Sequence, residues 1–221
     1  MKEDIWAIIP AHNEAKRIAA VIEKTKKILN NVVVVDDGST DNTYDIAVLK
    51  NIVVLRHIVN MHKGAALKTG CDYALSKGAK IIVVLDADGQ HDPDEIPNFI
   101  KTIEKENCDI VFGYRKRTKE MPFLLRFGNW FLNQIARFFY GIKMQDTQSG
   151  YRCFTAEAYR KIRWSSLGYE MESEMIANVG KHKLKYKEIP IATIYSEKYK
   201  GTTILDGIKI AFRMLFWKLT K

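Results

Sequence analysis

Residues 81–93 read IIVVLDADGQHDP, in which five apolar residues lead directly into a cluster of acids. An uninterrupted run of Ile, Val and Leu is typical of a strand buried on both faces, as in a parallel sheet covered by helices. Asp86 and Asp88 would repel each other at the end of such a strand unless water or a bound cation compensates their charge. The stretch therefore predicts a buried strand that is followed by either a solvated loop or a cation site.

Outward from this stretch, the first half of the chain alternates apolar strand patterns with helical patterns. Strands are predicted at 5–10, 32–36, 52–56, 81–86 and 109–113. Helices are predicted between them at 13–29, 43–49, 63–76 and 94–106, with Asn13 as the N-cap of the first. This alternation predicts an α/β fold with a mostly parallel central sheet.

Four polar segments follow four of these strands: PAHNE (10–14), DDGSTDNT (36–43), DADGQHDP (86–93) and GYRKR (113–117). Because ligands bind at the carboxyl ends of parallel strands, their convergence favours a ligand site over a solvated loop. The chain has neither GxGxxG nor GxxxxGK[ST], which excludes a dinucleotide fingerprint and a P-loop. Asp86, Asp88 and Gln90 offer only oxygen ligands, and this set suits Mg²⁺ or Mn²⁺.

Five motifs together carry a family resemblance: IIPAHNE, VVVDDGSTDNT, NMHKGAALKTG, VVLDADGQHDP and DTQSGYRCF. In this order they resemble glycosyltransferase family 2, above all its polyprenyl- and dolichyl-phosphate sugar synthases. The resemblance covers most of the chain. It implies a GT-A fold, a GDP- or UDP-linked sugar donor, a divalent metal and inversion at the anomeric carbon.

Position by position, the resemblance implies two sets of site residues. Asp36 or Asp37 would contact the base or ribose, and the motifs leave that choice open. For Lys63 the alternative is that it only begins a helix. The implied donor-binding set is Pro10, His12, Glu14, Asp36, Asp37, Lys63, Asp86, Ala87 and Asp88, and the implied metal ligands are Asp86, Asp88 and Gln90.

A phosphate acceptor needs cations rather than a general base, because its second pKa of about 6 leaves it largely ionised near pH 7. The resemblance implies Arg115, Arg126, Ser149 and Lys200 as acceptor-phosphate ligands, with Asp88, Arg115 and Arg126 as the catalytic residues. The absence of a QxxRW motif argues against processive polysaccharide synthases. The acids of GYEMESEM (168–175) are interpreted as a favourable first helical turn rather than a catalytic cluster.

Two other functions stay open at this point. A lipid-linked sugar or a soluble glycan could be the acceptor, and Asp146 would then be the first candidate for a general base. A non-catalytic nucleotide- or membrane-binding module is the third hypothesis, although the intact DADGQ and DTQSG motifs argue against it.

Charge is divided unevenly along the chain. Residues 1–112 hold 14 Lys and Arg against 17 Asp and Glu, whereas residues 113–221 hold 21 against 9. The basic half favours phosphate-bearing substrates and anionic membrane surfaces, and no nucleic-acid-binding motif accompanies it. Segments 121–144 and 203–221 mix aromatic and basic residues, which predicts membrane-interfacial helices or, alternatively, amphipathic helices packed on the domain.

The domain organisation follows from these patterns. Residues 1–200 are predicted to form one catalytic domain, and residues 201–221 a C-terminal amphipathic helix. No 18-residue apolar window and no signal-peptide pattern is found, and the three cysteines are widely spaced. We therefore expect a peripheral protein at the cytoplasmic face of a membrane, acting alone or with a membrane-protein partner.

Overall fold

The structure is a computed structural model that describes residues 2–115, 123–168 and 170–192, with side chains for 3–115, 130–168 and 170–192. Lys200 and both predicted C-terminal boundaries therefore lie outside the described residues. In the described chain, seven strands form one sheet in the order β3-β2-β1-β4-β6-β5-β7. They are β1 (Ile5–Ala11), β2 (Asn31–Asp37), β3 (Val53–His57), β4 (Ile81–Val84), β5 (Ile110–Arg115), β6 (Arg152–Thr155) and β7 (Tyr186–Ile191).

Helices cover both faces of the sheet. They are α1 (Ile18–Lys26), α2 (Thr43–Val48), α3 (Lys63–Ser76), α4 (Ile96–Glu106), α5 (Phe123–Tyr140), α6 (Ala156–Ile162) and α7 (Glu170–Lys181). Alternate residues of each strand point to opposite faces, so β2 sends Val33 and Val35 into one core and Val32 and Val34 into the other. One core is closed by α3, α5, α6 and α7, and the other by α1, α2 and α4.

The predicted α/β architecture with a mostly parallel sheet is confirmed. Only β6, among the described strands, runs antiparallel to its neighbours, β4 and β5. The carboxyl ends of β1, β2, β4 and β5 therefore share one edge, and the polar segments predicted to converge follow these strands.

Several predicted boundaries are wrong, and two of these differences lie next to the polar segments. Strand β4 ends at Val84, so Leu85 and Asp86 already belong to the loop. Helix α1 begins at Ile18, and Asn13 is not its N-cap. Asn13 instead adopts a left-handed conformation with φ +56°, which Asn tolerates better than most residues, and its Oδ1 accepts a hydrogen bond from Thr40 N.

Strands β6 and β7 are absent from the sequence prediction for a physical reason. β6 has only four residues and includes Arg152, so it lacks a continuous apolar pattern. β7 reads YKEIPI and lies at the sheet edge, where Pro190 is tolerated because one side of the strand has no ladder partner. Edge position and short length therefore hide both strands from pattern analysis.

Candidate active site

Lys63, the first residue of α3, contacts two acids from distant parts of the chain. Its Nζ lies 2.8 Å from Asp86 Oδ1 and 3.1 Å from Glu172 Oε1. The Lys63 side chain is 17% exposed, and that of Glu172 only 4%. Burial works to lower the pKa of Lys63, but the two carboxylates outweigh it and raise that pKa above its usual value. Lys63 therefore does more than begin a helix, since it is a partly buried cation that pairs with two acids at the sheet edge.

The DADGQH loop is held in shape largely by its own groups. The backbone N–H of Asp86 donates to His91 Nδ1 at 3.0 Å, and Gln90 N donates to Asp88 Oδ1 at 2.9 Å. His91 stacks on Tyr151 with ring centroids 4.9 Å apart. Burial is the main reason that the pKa of His91 falls to about 4, so the ring stays neutral and Nδ1 can accept.

The two aspartates of this loop differ in their electrostatics. Burial would raise the pKa of Asp86, but the Lys63 ammonium outweighs it and holds that pKa below the usual range. Burial and the negative charge of Asp86 raise the pKa of Asp88 instead. Asp88 thus carries a charge that the described protein groups do not fully compensate, and a bound cation would favour its ionised form.

These residues fit a divalent metal that is shared with a substrate. Within the described residues, no group of three or more His, Cys, Asp or Glu side chains could hold an ion by itself. Mg²⁺ is commonly bound by one or two carboxylates together with substrate phosphates, so Asp86 and Asp88 would be enough protein ligands for such an ion. Gln90, the third predicted ligand, lies in the same turn as Asp88.

The DTQSG segment closes over the Lys63–Asp86 ion pair. A Cβ added to Gly150 would lie 2.8 Å from Lys63 Nζ and 2.9 Å from Asp86 Oδ2, closer than real Cβ contacts. Buried Ser149 Oγ and Gln148 Oε1 have no hydrogen-bond partner among the described residues. Buried polar atoms normally have partners, so this turn offers acceptor and donor positions to a ligand.

Arg152 is a structural support that the sequence analysis missed. It is 1% exposed, and its guanidinium donates to Ser149 O at 3.0 Å, Thr147 O at 3.3 Å and Glu172 O at 3.4 Å. Burial lowers the pKa of Arg152 despite the nearby acids. The sequence signal was the Arg that follows QSGY, at the start of a strand too short to predict.

Arg115, at the end of β5, forms a two-point ion pair with Asp146. The distances are 2.7 Å from Nε to Oδ2 and 3.1 Å from Nη2 to Oδ1. Burial would raise the pKa of Asp146, but the Arg115 charge and hydrogen bonds outweigh it and lower that pKa. Asp146 is therefore a weak base that orients an arginine, which disfavours the general-base role considered for it.

At the end of β2, the side chain of Asp37 forms hydrogen bonds within the protein. Its Oδ1 accepts from His57 Nδ1 at 2.7 Å and from Met61 N at 2.9 Å. The carbonyl oxygen of Asp37 accepts from His12 Nδ1 at 2.8 Å. These bonds tie the loops after β1, β2 and β3 together.

Asp36 is completely buried, yet neither of its carboxylate oxygens has a hydrogen-bond partner among the described residues. Arg56 Nε lies 3.1 Å from Oδ2, which is an ion-pair distance without hydrogen-bond alignment. An aligned N–H or O–H of a ligand would satisfy this carboxylate. The other predicted donor residues lie at the ends of β1 and β4: Pro10, His12, Glu14 and Ala87.

The acids of GYEMESEM do begin a helix, as predicted, but two of them are buried with specific partners. Glu172 binds Lys63, and Glu174 accepts from the N–H and O–H groups of Ser165 and Ser166 at 2.6–3.1 Å. Acids within an otherwise apolar helical segment were the available signal. The side chain of Arg126, like Lys200, lies outside the described residues.

Comparison with known protein families identifies the class of protein to which this chain belongs. Residues 6–162 match the family described as Glycosyl transferase family 2, and the chain belongs to that family. It is a glycosyltransferase with a GT-A-like fold.

The relatives give more detail about their own activities. The UDP-N-acetylglucosamine–dolichyl-phosphate N-acetylglucosaminyltransferase of Methanococcus voltae is 35% identical, over 98% of this chain and 97% of that protein. The undecaprenyl-phosphate mannosyltransferase of Micrococcus luteus is 25% identical, over 92% and 88%. The fold is similar to Mycobacterium tuberculosis glucosyl-3-phosphoglycerate synthase in complex with Mn²⁺, UDP and phosphoglyceric acid, with TM-score 0.71, 18% identity and coverage of 97% and 76%.

Proposed function

We propose that this glycosyltransferase moves a hexose or N-acetylhexosamine from a GDP- or UDP-linked donor to a polyprenyl or dolichyl phosphate, with inversion at the anomeric carbon. The observation that carries the proposal is the pairing of Arg115 with Asp146 at the same edge as Asp86 and Asp88. The acid nearest to the proposed acceptor position is thereby tied to a cation. Such a site suits an acceptor that is already anionic.

In the donor half, Asp86 and Asp88, with Gln90, would hold Mg²⁺ or Mn²⁺ against the donor diphosphate. The bound ion would supply charge stabilisation for the departing nucleoside diphosphate. Asp36, with its unsatisfied carboxylate, would contact the base or ribose. Lys63 would add positive charge beside Asp86, where the donor diphosphate is proposed to lie. The remaining donor residues, Pro10, His12, Glu14, Asp37 and Ala87, would shape the pocket.

In the acceptor half, Arg115, Arg126, Ser149 and Lys200 would hold the phosphate. An acceptor phosphate oxygen then attacks the anomeric carbon as the bond to the nucleoside diphosphate breaks. The acceptor phosphate is largely ionised near pH 7, so no side chain has to remove a proton. The low pKa of Asp146 supports this division of roles, because a general base would need a raised one.

The proposal is tested by transfer of labelled sugar into an organic-extractable product. Donors would be UDP-N-acetylglucosamine, UDP-glucose and GDP-mannose, offered with Mn²⁺ and polyprenyl phosphate. Polyprenol without phosphate is the matched control, and a soluble phosphate monoester is the competing acceptor. Label that enters the lipid from one donor, only with the phosphate and only before EDTA, supports the proposal. Transfer only to the soluble acceptor, or to polyprenol, contradicts it.

Arg115→Gln is expected to raise the KM for polyprenyl phosphate by about 10- to 100-fold, because charge-assisted hydrogen bonds contribute roughly 1.5–3 kcal/mol. The affinity for the donor should change by less than about threefold, since the donor is proposed to lie at Asp86 and Asp88 rather than at Arg115. Initial rates and isothermal titration calorimetry with the donor measure the two effects separately.

Arg163→Gln is the matched control for this variant. Arg163 makes a similar two-point ion pair, with Asp72, at a half-exposed position on the α3–α6 side. Arg163→Gln should leave both the KM for polyprenyl phosphate and the affinity for the donor unchanged. Equal loss of donor and acceptor affinity in Arg115→Gln would overturn the acceptor role of Arg115.

Peripheral attachment at the cytoplasmic face of a membrane is part of the proposal, and α5 is the candidate surface. Its inner face packs Leu132, Ile135 and Ala136 into the core, while its outer face exposes the aromatic side chains Trp130, Phe131 and Phe138, the last 83% exposed. No acid occurs between positions 121 and 145. Both sequence interpretations of this helix, packed and interfacial, therefore have support. The second segment, 203–221, lies outside the described residues.

None of the described helices combines the length and the apolar composition that crossing a bilayer requires.

Phe131→Ser with Phe138→Ser is expected to weaken binding to anionic liposomes by about tenfold or more, because burying each aromatic side chain contributes roughly 1.5–3 kcal/mol. Co-sedimentation with vesicles containing acidic lipids measures the effect. Val48→Ser with Leu49→Ser, an exposed apolar pair on α2 and its C-cap, is the control. Unchanged binding of the α5 variant would remove this helix as the attachment surface.

A further inference from the structure

Lys63 places its positive charge between two carboxylates, Asp86 and Glu172, that would otherwise repel each other. Its Nζ is within 3.0 Å of both carboxylate oxygens of Asp86, one of the proposed metal ligands. The same Nζ is 3.1 Å from Glu172, an acid with no place in the mechanism above. One ammonium is thus shared by a proposed metal ligand and a second, buried carboxylate.

We infer that Lys63 takes the place of the divalent cation on Asp86 in the metal-free protein, and that Glu172 is the positioning residue that keeps the ammonium when a cation binds. The inference rests on the metal site of the proposed function. It assigns to Glu172 an effect on metal affinity that the helix-opening interpretation of the acids does not include.

The charges explain why both Asp86 and Glu172 are required to keep Lys63 paired, with or without a bound cation. Without Lys63, the partly exposed Asp86 and the buried Glu172 would be two carboxylates facing one position, and without a metal they would repel each other. When a dication binds Asp86, it repels the neighbouring ammonium. Glu172 then offers that ammonium a carboxylate at hydrogen-bond distance, so Lys63 remains paired without leaving the site.

The fold fixes Glu172 at this distance, although it lies 109 residues from Lys63 in the chain. Glu174, one half-turn further along α7, binds the N–H groups of Ser165 and Ser166. That loop packs directly on the start of α3, where Ala65 N donates to Leu167 O at 3.1 Å and Trp164 Nε1 donates to Gly64 O at 2.8 Å. The beginnings of α3 and α7 are therefore joined as one unit.

Substitutions at the two positions should change metal affinity in opposite directions. Lys63→Met removes the competing ammonium, so a cation meets two acids whose charge Arg152 compensates only in part, and it binds more tightly. Glu172→Gln leaves the ammonium only a neutral amide as an alternative, so Lys63 stays on Asp86 and the cation binds more weakly. A purely structural ion pair predicts that both variants weaken binding or that neither does.

The experiment measures Mn²⁺ affinity of the metal-free, full-length protein without nucleotide, from the EPR signal of free Mn²⁺. Lys63→Met should lower Kd by at least about tenfold, and Glu172→Gln should raise it about threefold or more, as expected for removal of one charge at this distance. Lys80→Met is the matched control, because Lys80 pairs with Asp4 on the exposed surface. The Mn²⁺-induced rise in Tm should be larger in Lys63→Met than in the wild type. If Lys63→Met fails to fold, Lys63→Gln replaces it in both measurements.

The outcomes separate this inference from the proposed function. If the wild type binds Mn²⁺ and neither variant changes its Kd, or both weaken it, the inference is overturned and the metal site stands. If neither the wild type nor Lys63→Met binds Mn²⁺, with or without UDP, the proposed metal site and this inference are both overturned. Opposite shifts in the two variants support the inference.

Discussion

Replacing Asp88 by Asn is expected to lower kcat/KM for sugar transfer by about 10³-fold or more, because a metal contributes several kcal/mol of charge stabilisation to a departing phosphate group. The fold should be retained. Asp88 is only partly buried, and its Oδ1 accepts one described hydrogen bond, from Gln90 N, which an Asn oxygen can also accept. The loss should therefore appear in turnover and in Mn²⁺ affinity, with little change in Tm.

Asp92→Asn provides the control in the same loop. Asp92 caps the following 3-10 turn by accepting from Asp94 N and lies 3.6 Å from Lys24, so an Asn can replace it with small cost. Initial rates over a range of Mn²⁺ concentrations compare the two variants. Turnover like that of the wild type in Asp88→Asn would remove Asp88 from the proposed ion site.

Gly150→Ala is expected to reduce kcat/KM by about 100-fold, because a displacement of about 1 Å at reacting groups can cost that much. The added methyl group would press on both Lys63 Nζ and Asp86 Oδ2 from one side and displace the ion pair from its present position. Lys63 can move, since its side chain is long, but a movement changes its contacts with Asp86 and Glu172. The free energy of unfolding should fall by only about 1–3 kcal/mol, as is usual for overpacking.

Gly70→Ala separates the effect on the site from crowding in general. Its added Cβ would collide with the Ile8 side chain and press on Val35, in an apolar part of the core. Stability should fall at least as much as in Gly150→Ala, while kcat/KM of the folded protein changes little. Initial rates and urea unfolding of both variants separate the effect on kcat/KM from the effect on stability. A Gly150→Ala enzyme with unchanged kcat/KM would show that the DTQSG turn is not held against the ion pair during turnover.

The sequence predicted those parts of the candidate site that depend on short patterns of neighbouring residues. The buried run before Asp86 predicted β4, and the polar segments after the strands predicted where the site lies, because parallel strands end at one edge. The motif order predicted the family, which the match over residues 6–162 confirms. Roles of individual residues, including Asp88, Arg115 and Arg126, stay predictions.

From the sequence alone, Asp36 and Asp37 are equivalent candidates for the contact with the base or ribose, since both lie at the end of the same strand. The structure distinguishes them through bonds from other loops: His57 and Met61 satisfy Asp37, whereas Asp36 is left with unfilled acceptor positions. The same holds for Asp146, whose capacity as a base depends on its pairing with Arg115, 31 residues away. Such partners have no signature within either segment.

By itself, then, the sequence determined the α/β class and the family, because periodicity and short motifs depend on neighbours along the chain. It also predicted the sheet edge at which the candidate site lies. Only the tertiary structure decided that Lys63 is shared between Asp86 and Glu172, that Arg152 is buried beneath the DTQSG turn, and that β6 runs antiparallel between β4 and β5. The physical reason is that a buried charge takes its partner from whatever group the packing brings within about 3 Å, regardless of separation in sequence.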